Sequence, residues 1–193
     1  MNKKTSTVYL VQAAFIAAVY VALTLFLKPI SFSGTQLRVA EALTILSVLT
    51  PAAVPGLTIG CILANLSSPY GMADIICGSV ATLLAALCSR ATRNITLRGV
   101  PILSAVFPVI FNAVIVGAEI SALNTGGFTW PVFGAMASSV GMGQCLACFA
   151  LGLPLCAALN KTKIFDNLFL WHKKYPAYAF DHQFYYYVLL IGQ

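Results

Sequence analysis

Charge is what this sequence has least of. Its 193 residues include 11 Lys or Arg and 5 Asp or Glu, so charged residues make up 8% of the chain. A water-soluble domain of this size would be about a quarter charged. Histidine is nearly absent, and His172 and His182 both lie beyond the last long apolar stretch. No HExxH or GxSxG motif occurs, and no Gly-rich loop ends in Lys-Ser/Thr, which excludes an ATPase of the chain's own. The six cysteines are Cys61, Cys77, Cys88, Cys145, Cys148 and Cys156. Cys145 and Cys148 form a lone C-x-x-C in an apolar run, without the second pair a zinc site needs. All six read as buried free thiols, and no metal or cofactor is expected. Carboxylates suited to acid–base work are present, but nothing supplies a nucleophile, so an enzyme is not expected.

Apolar sequence fills the space that charge leaves. Hydrophobic residues reach 60% and mean hydropathy is +0.89. A bilayer span takes ~20 mostly apolar residues, and six candidate spans follow one another: 8–27, 36–49, 52–66, 72–89, 101–122 and 131–160. Pro51, Pro101 and Pro131 stand at or near the starts of the third, fifth and sixth, where a missing N–H costs little. Gly152 and Pro154 are positioned to bend or end the long sixth span. The expectation is an all-α membrane protein, a six-helix bundle over residues 1–163, with 164–193 as an aromatic-rich tail. Residues 3–27 have the basic start and apolar run of a signal peptide; their length and the five spans that follow favour a retained helix.

The basic residues orient this bundle. Lys3 and Lys4 precede the first span, Arg90, Arg93 and Arg98 fill the fourth loop, and Lys161, Lys163, Lys173 and Lys174 follow the sixth span. With both termini inside, all nine are cytoplasmic, as the positive-inside rule asks; Lys28 and Arg38 are the exceptions. No basic stripe of the kind nucleic acid requires is present.

That topology gathers polar residues at the outer face. Arg38 and Glu41 open the second span, Asn65 closes the third, Asp74 opens the fourth, and Glu119 lies near the outer end of the fifth. A charge in hydrocarbon costs at least ~2.5 kcal/mol, so such groups face a cavity or one another. Arg38 and Glu41, an i, i+3 pair, can neutralise each other, and Asp74 can answer the helix dipole. Glu119 follows Asn112 by seven residues, one face of an uninterrupted helix, which suggests a lined, outward-facing pocket. Phe32, Tyr70, Phe128 and Trp130 lie in or beside the outer loops, as an interfacial belt or a stacking surface for a flat ligand. In the first span, Ala13 and Ala17, and Ala14, Ala18 and Ala22, form two rows of small residues that let another helix approach closely; Gly56 and Gly60 do the same in the third.

The stretches "QLRVAEALTIL", "TPAAVPGLTIGCILANL", "GSVATLLAAL", "FPVIFNAVIVGAEI" and "LGLPL", in this order and spacing, resemble the QueT family. The resemblance covers about residues 7 to 163; its most specific parts are the first stretch and "FNA…G…E". It implies the substrate-binding (S) subunit of an energy-coupling factor (ECF) transporter for a queuosine precursor, multi-pass in a bacterial cytoplasmic membrane. The implied partners are a transmembrane coupling subunit (EcfT type) and two cytoplasmic ECF ATPases, docking on Ala14 and Ala18 or on the offset Ala13 and Ala17. A 7-deazaguanine such as queuine, preQ1 or preQ0 presents adjacent N–H donors to one carboxylate. Glu119 or Glu41 is the expected reader, with Asn112, Asn65 or Gln144 assisting, Trp130 or Tyr70 stacking, and Arg38 holding Glu41. Two alternatives remain open from the residues: a stand-alone proton-coupled carrier using Asp74 or Glu119, and an intramembrane enzyme using the outer carboxylates. A vitamin other than a queuosine precursor is a third.

Overall fold

The computed structural model describes residues 3–31, 37–97, 100–124 and 126–162, and every named element among them is helical. Phe32, Gln36, Arg98, Lys163 and the tail 164–193 lie outside the described residues. Helix α1 (Lys3–Phe26) is followed by a single turn, α2 (Lys28–Ser31). A 3₁₀ segment, Val39–Ile45, runs into α3 (Leu46–Leu49), and α4 (Ala53–Asn65) and α5 (Met72–Ala91) follow. The next helix is built from α6 (Ile102–Phe111), a π segment (Asn112–Val116) and α7 (Gly117–Leu123). The last long helix comprises α8 (Trp130–Cys145), a second π segment (Leu146–Gly152) and α9 (Leu153–Thr162).

Four of these stretches are long and apolar enough to cross a membrane: Thr7–Phe26, Met72–Ala91, Ile102–Leu123 and Trp130–Leu159. The other two expected spans, Val39–Leu49 and Ala53–Asn65, are shorter apolar helices. At 1.5–2 Å rise per residue, each is about 20 Å long, less than the ~30 Å hydrocarbon thickness. Large apolar side chains such as Phe15 (63% exposed) and Phe26 (85% exposed) point outward, a surface suited to lipid and not to water.

The 3₁₀ segment is the centre of the bundle. Ala40 to Ile45 are all buried, and the segment packs against α1, α4, α5, α6, α9 and the second π segment. Non-helical or strained backbone is tolerated at membrane depth only where protein encloses it, and enclosure is what this segment has. Around it, α1 lies on α4, α4 on α5, and α5 on α6.

Small residues set the closest approaches. A Cβ added at Gly56 would lie 2.7 Å from the Ala13 carbonyl oxygen, and one at Gly60 would lie 2.9 Å from the Tyr20 Cβ and 3.1 Å from the Ala17 Cα. The four-residue glycine spacing of α4 thus meets the Ala13/Ala17 row of α1. At Gly117 the same test gives 2.8 Å to the Ala137 Cα, which brings α7 onto α8.

Both π segments adjoin proline. Pro108 sits inside α6, four residues before Asn112, and Pro154 follows the second π segment at the start of α9. Pro154 therefore does not end the long helix, which runs on to Thr162.

Candidate functional site

Hydrogen bonds define two ends of the bundle. At one, Tyr9 Oη donates to the Pro51 carbonyl (3.5 Å), Thr50 Oγ1 to Gln12 Oε1 (2.9 Å), and Arg90 Nη1 to the Ser47 and Val48 carbonyls (3.4 and 3.1 Å). Ser89 Oγ donates to the Ser104 carbonyl at the same end (2.7 Å). This end is more polar than the sequence suggests, but these groups are matched to partners.

The other end holds the ions. Arg38 Nη2 donates to both oxygens of Asp74, at 2.6 and 2.8 Å, with 1% and 0% of the two side chains exposed. Asp74 lies in the first turn of α5, and Ser68 Oγ adds a 2.5 Å bond to its Oδ2. Asn65 Nδ2 donates to the Asp74 carbonyl at 2.8 Å. The turn from α4 to α5 is closed by Gly71, whose φ of +63° is the left-handed conformation that glycine adopts freely. Gly78 makes room for the pair: a Cβ there would lie 2.6 Å from Asn65 Nδ2 and 3.0 Å from Arg38 Nη1.

Glu41 has other company. Tyr20 Oη donates to its Oε1 at 2.6 Å, Thr82 Oγ1 to the same oxygen at 2.9 Å, and Thr44 Oγ1 to Oε2 at 3.0 Å. The ion pair of Arg38 is thus with Asp74, and the restraint on Glu41 comes from three hydroxyls on α1, α5 and its own segment. This corrects the expectation that Arg38 and Glu41 neutralise each other. Charge marks Arg38 and Asp74 in the sequence, whereas Tyr20, Thr44, Thr82, Ser68 and Gly78 carry only the weak signal of a polar or small residue in an apolar run.

A third group is acceptors without donors. Glu119 is 6% exposed, yet neither of its oxygens has a hydrogen-bond partner among the described residues. Asn65 Oδ1 and Asn112 Oδ1 are likewise buried and unbonded; the Asn112 amide nitrogen donates to the Pro108 carbonyl at 2.9 Å. Glu119 is close enough to Asp74 and Arg38 for their charges to act on it. The π turn adds about one residue between Asn112 and Glu119, which rotates Glu119 by about 100° from the stripe an uninterrupted helix would share with Asn112. Both are buried nonetheless.

The remaining candidates divide. Gln144 is buried one turn before Cys148, whose thiol lies 4.0 Å from Gln144 Oε1 and 3.8 Å from the Glu41 carbonyl. Trp130 is 77% exposed and joins Phe128 and Phe133 in edge-on contacts, with ring centroids 5.4 and 6.1 Å away. Ala13 and Ala17 are buried against α4, so that row is corrected to an internal contact; Ala14, Ala18 and Ala22 are exposed. The cysteines are free, but Cys145 is exposed and Cys77 and Cys88 are half-buried, against the expectation that all six are buried.

Apolar flanks around a polar, ion-paired interior make this a multi-pass membrane protein. The sequence model of the QueT transporter family matches residues 10–161, and the chain belongs to that family. One relative is the queuosine precursor transporter QueT of Lactococcus lactis subsp. cremoris (strain MG1363), 36% identical over 84 residues. That match takes in 42% of this chain and 49% of the relative, so the chain spans about half the length of the curated relative it matches. No solved structure matches the chain.

Proposed function

We propose that this chain binds a queuosine precursor and carries it across the bacterial cytoplasmic membrane as the S subunit of an ECF importer. In this reading the short apolar helices Val39–Leu49 and Ala53–Asn65 complete a six-helix bundle with both termini cytoplasmic. The coupling subunit docks on the exposed Ala14/Ala18 row, and two partner ATPases supply the energy.

The observation that carries the solute assignment is the set of buried acceptors without donors: both oxygens of Glu119, with Asn112 Oδ1 and Asn65 Oδ1. Burying such atoms unpaired costs about 1–3 kcal/mol each, more for a charged group, and a donor-rich solute would offset that cost. A 7-deazaguanine fits, with ring N–H and exocyclic amino donors side by side. Glu41 has hydroxyls on both oxygens, so in this reading Glu119 contacts the solute and Glu41 holds the central segment. Asp74 and Arg38 stand near Glu119 as a fixed pair, and the buried Gln144 on α8 assists in solute binding. Trp130 and its aromatic neighbours belong to the membrane interface.

Titration of the purified chain with queuine, preQ1, preQ0, guanine and riboflavin tests the reading. Selective deazaguanine binding that Glu119→Ala weakens is the expected result; a folded protein that binds none of them excludes the solute. Buried Glu119 also suits a proton-coupled carrier. Uptake by the chain alone in proteoliposomes, abolished when a proton gradient is collapsed, would establish that mechanism in place of ATP-driven import.

A further inference from the structure

Every Asp and Glu before position 166 is buried: Glu41, Asp74 and Glu119. The basic residues are distributed the other way. Among the described side chains Arg38 is the buried cation, while Lys28 and Lys161 are exposed. Arg90 and Arg93 lie at the opposite end, donating to backbone carbonyls. Three carboxylates therefore share the interior with one guanidinium, and that guanidinium holds Asp74. Hydroxyls occupy both oxygens of Glu41, and among the described residues Glu119 has neither an ion pair nor a hydrogen bond.

A neutral solute would satisfy the hydrogen bonding of an ionised Glu119 and give it no counter-ion of its own, the costlier half of the problem in a low-dielectric interior. We propose that the solute of this site is a cation, and that Glu119 pairs with its positive group. The inference rests on the queuosine-precursor reading and deepens it. Within that class it selects a deazaguanine bearing a protonated amine, as in the aminomethyl arm of preQ1, over the uncharged nitrile of preQ0. It also assigns Glu119 to the arm, leaving the asparagine oxygens to the guanine-like edge.

Calorimetric titration of the full chain in detergent with preQ1 and preQ0 separates the outcomes. The aminomethyl compound should bind about tenfold to a hundredfold tighter, the worth of one charge-assisted hydrogen bond. Glu119→Gln, which keeps shape and an acceptor, should abolish that preference by lowering preQ1 affinity more than preQ0 affinity. Equal binding of the two by the unmodified chain, or an equal loss of both in Glu119→Gln, overturns the inference and leaves the proposed function standing. Binding of neither, nor of queuine added to the same titration, overturns the proposed function and the inference with it. The comparison on the unmodified chain decides the charge preference even if the variant fails to fold.

Discussion

Gly78 lies one helical turn after Asp74, and the hydrogen it carries in place of a side chain faces the guanidinium of Arg38, 40 residues earlier in the chain. A methyl group there would stand 3.0 Å from Arg38 Nη1, 3.1 Å from Asp74 Oδ1 and 2.6 Å from Asn65 Nδ2. Three buried polar groups would have to shift to admit it.

Gly78→Ala is accordingly expected to lower stability by about 1–3 kcal/mol, the usual cost of overpacking. Gly134 is a helical glycine with nothing within 4 Å of an added Cβ. Gly134→Ala should instead gain up to about 1 kcal/mol from helix propensity. Thermal unfolding of both variants in one detergent reads the contrast; equal shifts would mean that Gly78 is not what seats the ion pair.

Asp74→Asn leaves a buried guanidinium without its counter-charge. A loss of about 3–5 kcal/mol is expected, and removing both charges in Arg38→Met/Asp74→Leu should cost less than Asp74→Asn alone. A double-mutant cycle in unfolding free energy measures the difference.

Tyr20→Phe removes one of three hydroxyls on Glu41 and keeps the Cβ that lies against Gly60. A loss of about 1.5–3 kcal/mol follows if the bond is to a charged carboxylate. Thr82→Val should act in the same direction, and their combination should be non-additive because both donate to Oε1.

The two alanine rows should separate by phenotype. Gly56→Leu drives a side chain into the Ala13 backbone and should prevent folding. Ala14→Trp, on the exposed row, should leave folding and solute binding intact while abolishing assembly with the coupling subunit and uptake. Complex formation by Ala14→Trp would remove this face from the docking proposal.

Hydropathy made the helical stretches readable: the expected and observed ends of the four long stretches agree to within a few residues. It did not reveal that 39–45 is a 3₁₀ segment at the centre of the bundle, since a buried element and a lipid-facing one have the same composition. Arg38 and Asp74 were visible as charges, but their pairing depends on a contact across 36 residues. The donors to Glu41 are neutral hydroxyls, which apolar sequence does not set apart. The alanine rows are offset by one residue, so spacing alone could not say which faced inward; the position of Gly56 and Gly60 on α4 decides it.

The enclosed 3₁₀ segment also constrains the order in which the protein can be made. One of its neighbours, Cys148, is 107 residues downstream of Glu41, so the ribosome delivers the segment long before the walls of its final site exist. Until α8 and the π segment after it emerge, Arg38 and Glu41 can have their partners on α1 and α5, but one wall of the segment is missing. The final seating of this segment is then a late, post-insertion step that joins the first and last helices of the chain.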